Sequence, residues 1–335
     1  MPQDIKEQEL SSVFNELISE YSRLRNSLKD IYSESEQIRV LSLNTSIEAA
    51  RAGEKGAGFR VIAKAIKDIA EECDNETQKS LRLVNNIEQN MDSLIGIRTA
   101  DMAFDVIDKI DRNLFERYCD VQAWATFGKI IEALENKSED SVSQAAMIIE
   151  NLVRIYEVYH DVILADAEGN IVCAGVHKEL SGHNIKNAQW FEEICLTHKT
   201  WYSDMYYSDI LKDWTVSYSC PVVNKSGTFL GVLSTRFNWS YIQQIIQHQQ
   251  TKLSAKGEVI LINKHGLVIG SRNSQDILKK SFASEKAFEL IKNGSKYGFY
   301  NKKSHNNLIV CGYAKTSGYN SYIGKEWSAI ICDEY

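Results

Sequence analysis

The chain has 335 residues, of which 44% are hydrophobic and 25% charged, with a formal net charge of −7. That length allows two or three domains and a substantial core. The acidic balance argues against nucleic acid, whose affinity depends on clustered cations. No apolar run approaches the ~20 residues that a membrane-crossing helix needs. The opening MPQDIKEQEL is too polar for a secretory signal. The expectation is therefore a cytoplasmic protein with no membrane insertion. Cys73, Cys119, Cys173, Cys195, Cys220, Cys311 and Cys332 are odd in number and irregularly spaced, which reads as free, mostly buried thiols in a reducing compartment.

The first hundred residues carry a helical pattern. Leu10, Phe14, Leu17, Tyr21, Leu24, Leu28 and Ile31 follow steps of four and three, and Phe59, Ile62, Ile66, Ile69 and Cys73 repeat them. Val84, Ile87, Met91 and Leu94 continue the series. A 3.5-residue period keeps one stripe facing its partner and predicts a coiled-coil seam. The two arms mirror each other about Lys55 and Gly56, which predicts an antiparallel helical hairpin. Near the reversal the seam shrinks to Ser42, Thr45, Ala49 and Ala52, so the arms approach closely. Gly53, Gly56 and Gly58 supply backbone freedom for the turn. Asn44, Glu48, Arg51 and Glu54 crowd the same turns, which in an arbitrary hairpin reads as a solvated surface.

A second helical stretch runs through Phe104, Ile107, Ile110, Leu114, Tyr118, Val121 and Trp124, is interrupted at Gly128, bends at ENKSEDS, and resumes as SVSQAAMIIENLVRIYEVY. From about residue 160 the period becomes two. HDVILADAEGNIVCAG reads as strand, turn and strand, and GEVILINKHGLVIGSRN repeats the device. Further strands follow each hairpin: WTVSYSCPVVNKSGTFLGVLSTRFNW in the first copy, NNLIVCGYAKT and EWSAIICDE in the second. Two copies of one plan predict duplicated antiparallel sheets of PAS-like form.

The string IEAARAGEKGAGF, extended by VIAKAIKDIAE, closely resembles the signalling tip of methyl-accepting chemotaxis receptors over residues 36–72. In that family the tip holds a histidine kinase and a small coupling protein. The resemblance implies that Glu48, Arg51 and Glu54 are the polar contacts, Val40 and Val61 the apolar docking positions, and Asn44 and Phe59 retained tip residues. Two positions depart from the pattern. Glu36 stands where the family packs dimers into trimers, and Arg39 replaces a nearby Asn. Two charges at a buried site cost several kcal/mol if unpaired, which speaks against trimers of dimers. Each arm spans roughly 45 residues, about 65 Å at 1.5 Å per residue, too short for a methylation region.

Residues 101–335 resemble the double Cache sensor family, two PAS-like modules on one long helix. The segment NAQWFEEICLTHKTWYSDMYYSD and the strand GVLSTRFNW carry the likeness. By that resemblance Trp190, Phe191, Tyr202 and Asp204 line a small-molecule pocket, with Tyr206 and Tyr218 as further walls. Stiff aromatic walls with a few polar groups suit such a pocket, although without the family pattern the same aromatics read as core. Amino-acid-binding members use an Arg two residues before the Trp and an Asp on the late strand. Here those positions hold Ala188 and Arg236. Both charge-assisted contacts of an α-amino acid are thereby lost. Arg236 either receives an anionic ligand, such as a small carboxylate, or pairs with Asp204 and closes the pocket.

Enzymatic signals are missing from the sequence. Cys173, His177, His183 and His198 lack metal-ligand spacing, GEKGAG does not follow a strand, and no Gly-x-Ser-x-Gly elbow occurs. The expectation is a protein that is not an enzyme and holds no cofactor or metal. The expected fold is α+β: an N-terminal antiparallel coiled-coil hairpin (1–98), connecting helices (99–158), a ligand-binding Cache module (159–248) and a second module (249–335). The expected function is a homodimeric, soluble chemoreceptor-like transducer whose tip engages the chemotaxis kinase and coupling protein. The alternative is a ligand-binding or scaffold protein that uses the hairpin only to dimerise.

Overall fold

A computed structural model describes residues 2–304 and 307–334, and the side chains of 13–302 and 308–334 apart from Asn15. The chain divides into two compact units, Met1–Ile95 and Gly96–Glu334.

In the first unit, α1 (Pro2–Arg51) leads into a short 3₁₀ turn (Gly53–Gly56), and α2 (Ala57–Ala125) begins the return. Along the two arms the residues that bury are mostly small and stand seven apart: Ser35, Ser42 and Ala49 on the way out, then Gly56, Ala63, Ala70, Thr77 and Val84, with Ile95 buried at the end of the unit. The Ser35 hydroxyl donates to the Ala70 carbonyl at 2.9 Å, and Tyr21 reaches Glu88 at 2.5 Å. A Cβ on Gly56 would lie 2.1 Å from the Ala49 carbonyl oxygen, so this glycine permits close approach. The reversal needs Gly53, at φ +58°, but not Gly58, which has open space around it. The pairs Ser35–Ala70 and Ala49–Gly56 centre the fold-back on Ala52 and Gly53, three residues earlier than the expected Lys55–Gly56.

The larger seam residues behave differently from expectation. Leu17, Leu24, Ile31, Phe59, Ile62, Ile66, Ile69, Ile87 and Leu94 are exposed in the single hairpin, while the small heptad layer closes it. Short side chains let the backbones meet, and that geometry turns the wide apolar stripe outward. The Leu10 side chain lies outside the described residues. Glu36 and Arg39 pair with each other at 2.5 Å on the helix surface, so neither charge is stranded. Among the described residues no helix is long and apolar enough to cross a membrane.

The second unit starts in α2, where Ile107, Ile110, Leu114, Val121 and Trp124 are buried at helical spacing. Next come α3 (Gly128–Asn136) and α4 (Glu139–Tyr156), the latter capped by Ser138, whose hydroxyl accepts from the Ser141 N–H. The first sheet contains β1 (Tyr159–Asp166), β2 (Ile171–Ala174), β3 (Trp201–Tyr202), β4 (Tyr206–Ser208), β5 (Asp213–Val223) and β6 (Phe229–Asn238). It is antiparallel in the order β2-β1-β6-β5-β3, with β4 also on β5. Helix α5 (Gln189–Thr197) lies between β2 and β3, and α6 (Ser240–Gln250) follows β6. The second sheet, also antiparallel, contains β7 (Glu258–Ile262), β8 (Val268–Ser271), β9 (Tyr297–Ser304), β10 (Asn307–Lys315) and β11 (Ser328–Glu334), ordered β8-β7-β11-β10-β9, with α7 (Lys286–Lys292) before β9. This is a double Cache fold.

The duplication is visible in detail. Asn170 bridges Asn184 in the first module, and Leu267 bridges Ser281 in the second, each position 97 residues on (267 against 170). Gly169 and Gly266, both at positive φ, abut the backbone of Lys186 and Ala283 at the same offset. Between β10 and β11, residues 316–327 form a strap rather than strands. Its Thr316 hydroxyl and Gly318 N–H donate to Asp111 on α2, and its Tyr319 ring meets Phe115 edge-on.

Asp111 is only 4% exposed, and burial pushes its pKa up against the pull of the Thr316 and Gly318 donors. A carboxyl raised on folding adds stability that is full below its unfolded value, about 3.9, and lost as pH rises through the folded value. Chemical denaturation of wild type and Asp111→Asn between about pH 4 and 7 should therefore show the wild type gaining on the variant as pH falls. A difference constant across that range contradicts the assignment.

One expectation is corrected outright. Cys311 and Cys332 are joined by a disulfide, with Cα atoms 4.1 Å apart. They are 21 residues apart in sequence and irregular in spacing, but the β10–β11 register sets them face to face. The other five cysteines are free.

Candidate functional site

Alternation along the strands gives the first sheet two distinct faces. One packs on the helices through Val162, Leu164, Leu233 and Phe237. On the other, register places Asp161 of β1, Arg236 of β6 and Ser217 of β5 in one row, and Ile163, Ser234 and Ser219 in the next. A cavity of about 230 Å³ opens over this face, lined by Asp161, Arg236, Ile163, Leu180, Ser208 and Leu211 among others.

The two charges in the cavity differ sharply. Asp161 is 1% exposed, and its oxygens accept from the N–H groups of Val162, Gly175, Val176 and His177 at 2.7–3.0 Å. The His177 ring stands at 3.0 Å as well. A carboxylate with that many partners has little capacity for another cation. The Arg236 guanidinium donates to the Ser234 hydroxyl at 2.5 Å and the Thr235 carbonyl at 3.0 Å, and lies 5.5 Å from the centre of the Trp190 ring. Among the described residues it has no carboxylate partner. Its remaining donors are open to the cavity, whereas the acceptor sites of Asp161 are filled.

The family model described as Cache domain matches residues 5–331. The chain belongs to the Cache domain family. Among curated relatives, 155 residues are 26% identical to the methyl-accepting chemotaxis protein McpP of Pseudomonas putida, covering 46% of this chain and 27% of that protein. A stretch of 78 residues is 35% identical to the methyl-accepting chemotaxis protein HlyB of Vibrio cholerae, covering 23% of this chain and 14% of that protein. The chain thus spans well under a third of the length of either relative. Among solved structures, the ligand-binding domain of the Campylobacter jejuni chemoreceptor Tlp3 in complex with 4-methylisoleucine superposes with a TM-score of 0.55 at 15% identity. The match covers 71% of this chain and 89% of that one. The Tlp3 sensory domain with isoleucine bound gives 0.54 at 15% identity over 70% and 91%.

In this Cache chain the seven expected pocket residues divide between the two sheet faces. Trp190, Tyr206 and Arg236 share the cavity face, with the Tyr206 hydroxyl 2.7 Å from Ser217. Phe191 packs beneath α5 against Ala165 and Val232. Tyr202, Tyr218 and Asp204 are on the helix side. There the Tyr202 ring meets Tyr118, Tyr218 and Tyr322 within 5.8 Å, and burial pushes its hydroxyl up to about 12. Asp204 accepts from the Trp327 indole N–H at 2.7 Å, so the alternative Arg236–Asp204 ion pair is corrected: the two lie on opposite faces. The Lys325 ammonium sits 4.4 Å from the centre of the Tyr202 ring, and burial lowers its pKa to about 8. The strap and the helix side of the Cache sheet therefore form one aromatic layer.

The sequence reading missed Asp161, His177, Ser208 and Leu211. The strand register brings Asp161 to the cavity, and β4 with the turn that follows it brings Ser208 and Leu211, while His177 supports Asp161 from behind; no local motif marks them. Among the described residues no group of three His, Cys, Asp or Glu side chains is placed to hold a metal. In the hairpin, Val40, Asn44, Glu48, Arg51, Glu54, Phe59 and Val61 are all exposed, Val61 at 71%. Arg51 pairs with Glu48 at 2.8 Å.

Proposed function

We propose that the first module binds a small carboxylate and that occupancy is passed along α2 to the hairpin, whose tip engages a chemotaxis histidine kinase and its coupling protein. The observation that carries the ligand class is that Arg236 has open donors and no carboxylate partner among the described residues, while the Asp161 oxygens are already filled by backbone donors. A carboxylate gains a charge-assisted, bidentate partner, and an ammonium finds none. The Tlp3 sensory domain is named as an isoleucine complex, and an α-amino acid is the competing ligand here. Signalling requires that the ligand favour one arrangement of α2 over another. Because α2 is one helix over Ala57–Ala125, a shift in it has a mechanical route. The proposed location is the cytoplasm.

The tip reading rests on the sequence likeness and on the exposure of Val40, Phe59 and Val61. Pull-down with the coupling protein tests it. Wild type should be retained and Glu54→Arg lost, whereas no retention of wild type contradicts it. The second reading, a stem used only for dimerisation, is favoured by the Glu36–Arg39 pair on the surface where the receptors form trimers.

Both readings predict a homodimer, since a second hairpin would cover the stripe through Leu17, Leu24, Ile31, Ile66 and Ile87. Leu24→Asp should then raise the dimer dissociation constant on the order of 100-fold, combining the loss of a buried leucine with a desolvated charge. Light scattering across a dilution series checks this, and an unchanged dimer contradicts it.

A further inference from the structure

The second module repeats the ligand cavity but not its chemistry. At the offset of 97 residues, Asp161, Ile163 and Asn184 correspond to Glu258, Ile260 and Ser281, and these three line a cavity of about 370 Å³ on the matching face of the second sheet. In the first module the row is Asp161–Arg236–Ser217. In the second it is Glu258–Cys332–Cys311. The disulfide therefore occupies the place of the arginine and the serine. Both cysteines line the cavity: Cys311 is 0% exposed, and Cys332 is half-buried. The neighbouring residue, Gly312, points to the other face, where a Cβ would lie 2.3 Å from the Thr99 carbonyl carbon of α2. The bond is thus one residue from the contact between β10 and the helix proposed to carry the signal.

We infer that Cys311 and Cys332 form a thiol–disulfide exchange site, with low-molecular-weight thiols as co-reactant, in the position the first module gives to its ligand. A small thiolate enters the cavity and attacks Cys332 Sγ. The Cys311–Cys332 bond breaks, its electron pair leaves on Cys311 Sγ, and that thiolate takes a proton from water. A second small thiolate attacks the external sulfur of the mixed disulfide and releases Cys332 as a thiolate, which is protonated in turn. The protein disulfide and two thiols thereby become two protein thiols and one small disulfide, and oxidation reverses each step. Attack is directed to Cys332 because Cys311 has no exposed surface.

The test uses the full chain under native conditions, equilibrated with mixtures of reduced and oxidised glutathione, quenched in acid, alkylated after unfolding and mapped by mass spectrometry. Cys311 and Cys332 should become alkylatable together as the ratio is varied, with the fold retained by circular dichroism. In single variants, Cys311→Ser should carry glutathione on Cys332, and Cys332→Ser should leave Cys311 unmodified. Three results overturn the inference: a bond that opens only when denaturant unfolds the chain, a pair that never closes under oxidised glutathione, or equal modification of Cys311 and Cys332 in the single variants.

Discussion

Arg236→Ala should weaken binding of a small carboxylate by about 100-fold, close to 3 kcal/mol, the upper range for a hydrogen bond to a charged group. The loss has one source. Arg236 is the only arginine or lysine among the residues lining the cavity, so its removal leaves no permanent cation there. The unliganded fold should be little changed, because Ser234, which accepts from Arg236, keeps its 2.5 Å bond to Ser219. Arg236→Lys should recover part of the affinity, since an ammonium restores charge but not the planar fork. Calorimetric titration of the three proteins gives the series, and equal affinities would remove Arg236 from the site.

Gly312→Ala should lower stability by about 3 kcal/mol or more, at the top of the overpacking range, and bring the melting temperature down on the order of 10 °C. A Cβ there meets the Thr99 carbonyl carbon at 2.3 Å and the Ala100 nitrogen at 2.4 Å. Both are helix backbone atoms, which cannot rotate away as a side chain can, so β10 must lift from α2. Gly58→Ala is the matched control. Its Cβ meets nothing within 4 Å, and the helical position should favour alanine by up to about 1 kcal/mol. Thermal melts that show equal losses for both variants would contradict the packing.

The architecture was legible because its periods are strong. The switch from helical spacing to alternation near residue 160 announced the first sheet, and the repeated turn chemistry around Gly169 and Gly266 announced its copy. The hairpin was read correctly as two arms, and its closing layer only near the turn, at Ser42 and Ala49: large apolar residues dominate a sequence pattern, while Ser35, Ala63 and Ala70 continue the small packed layer. The candidate site was half legible. Trp190, Tyr206 and Arg236 share a face, whereas Tyr202 and Asp204, spaced two apart, both fall on the helix side with the strap. Strand β9 was missed because KYGFYNKKS mixes aromatic and basic residues without clean alternation. The disulfide depends wholly on the β10–β11 register, which spacing along the chain does not reveal.

The central claim is that the first cavity selects a carboxylate and has no place for an ammonium. Titration of the intact protein with butyrate, 2-aminobutyrate and butyramide tests it most directly, because the three share one four-carbon skeleton and present a carboxylate alone, a carboxylate with an α-ammonium, and a neutral amide. Butyrate should bind, 2-aminobutyrate should bind at least about tenfold more weakly, and butyramide should give no detectable heat. Tighter binding of 2-aminobutyrate than of butyrate would contradict the roles given to Arg236 and Asp161.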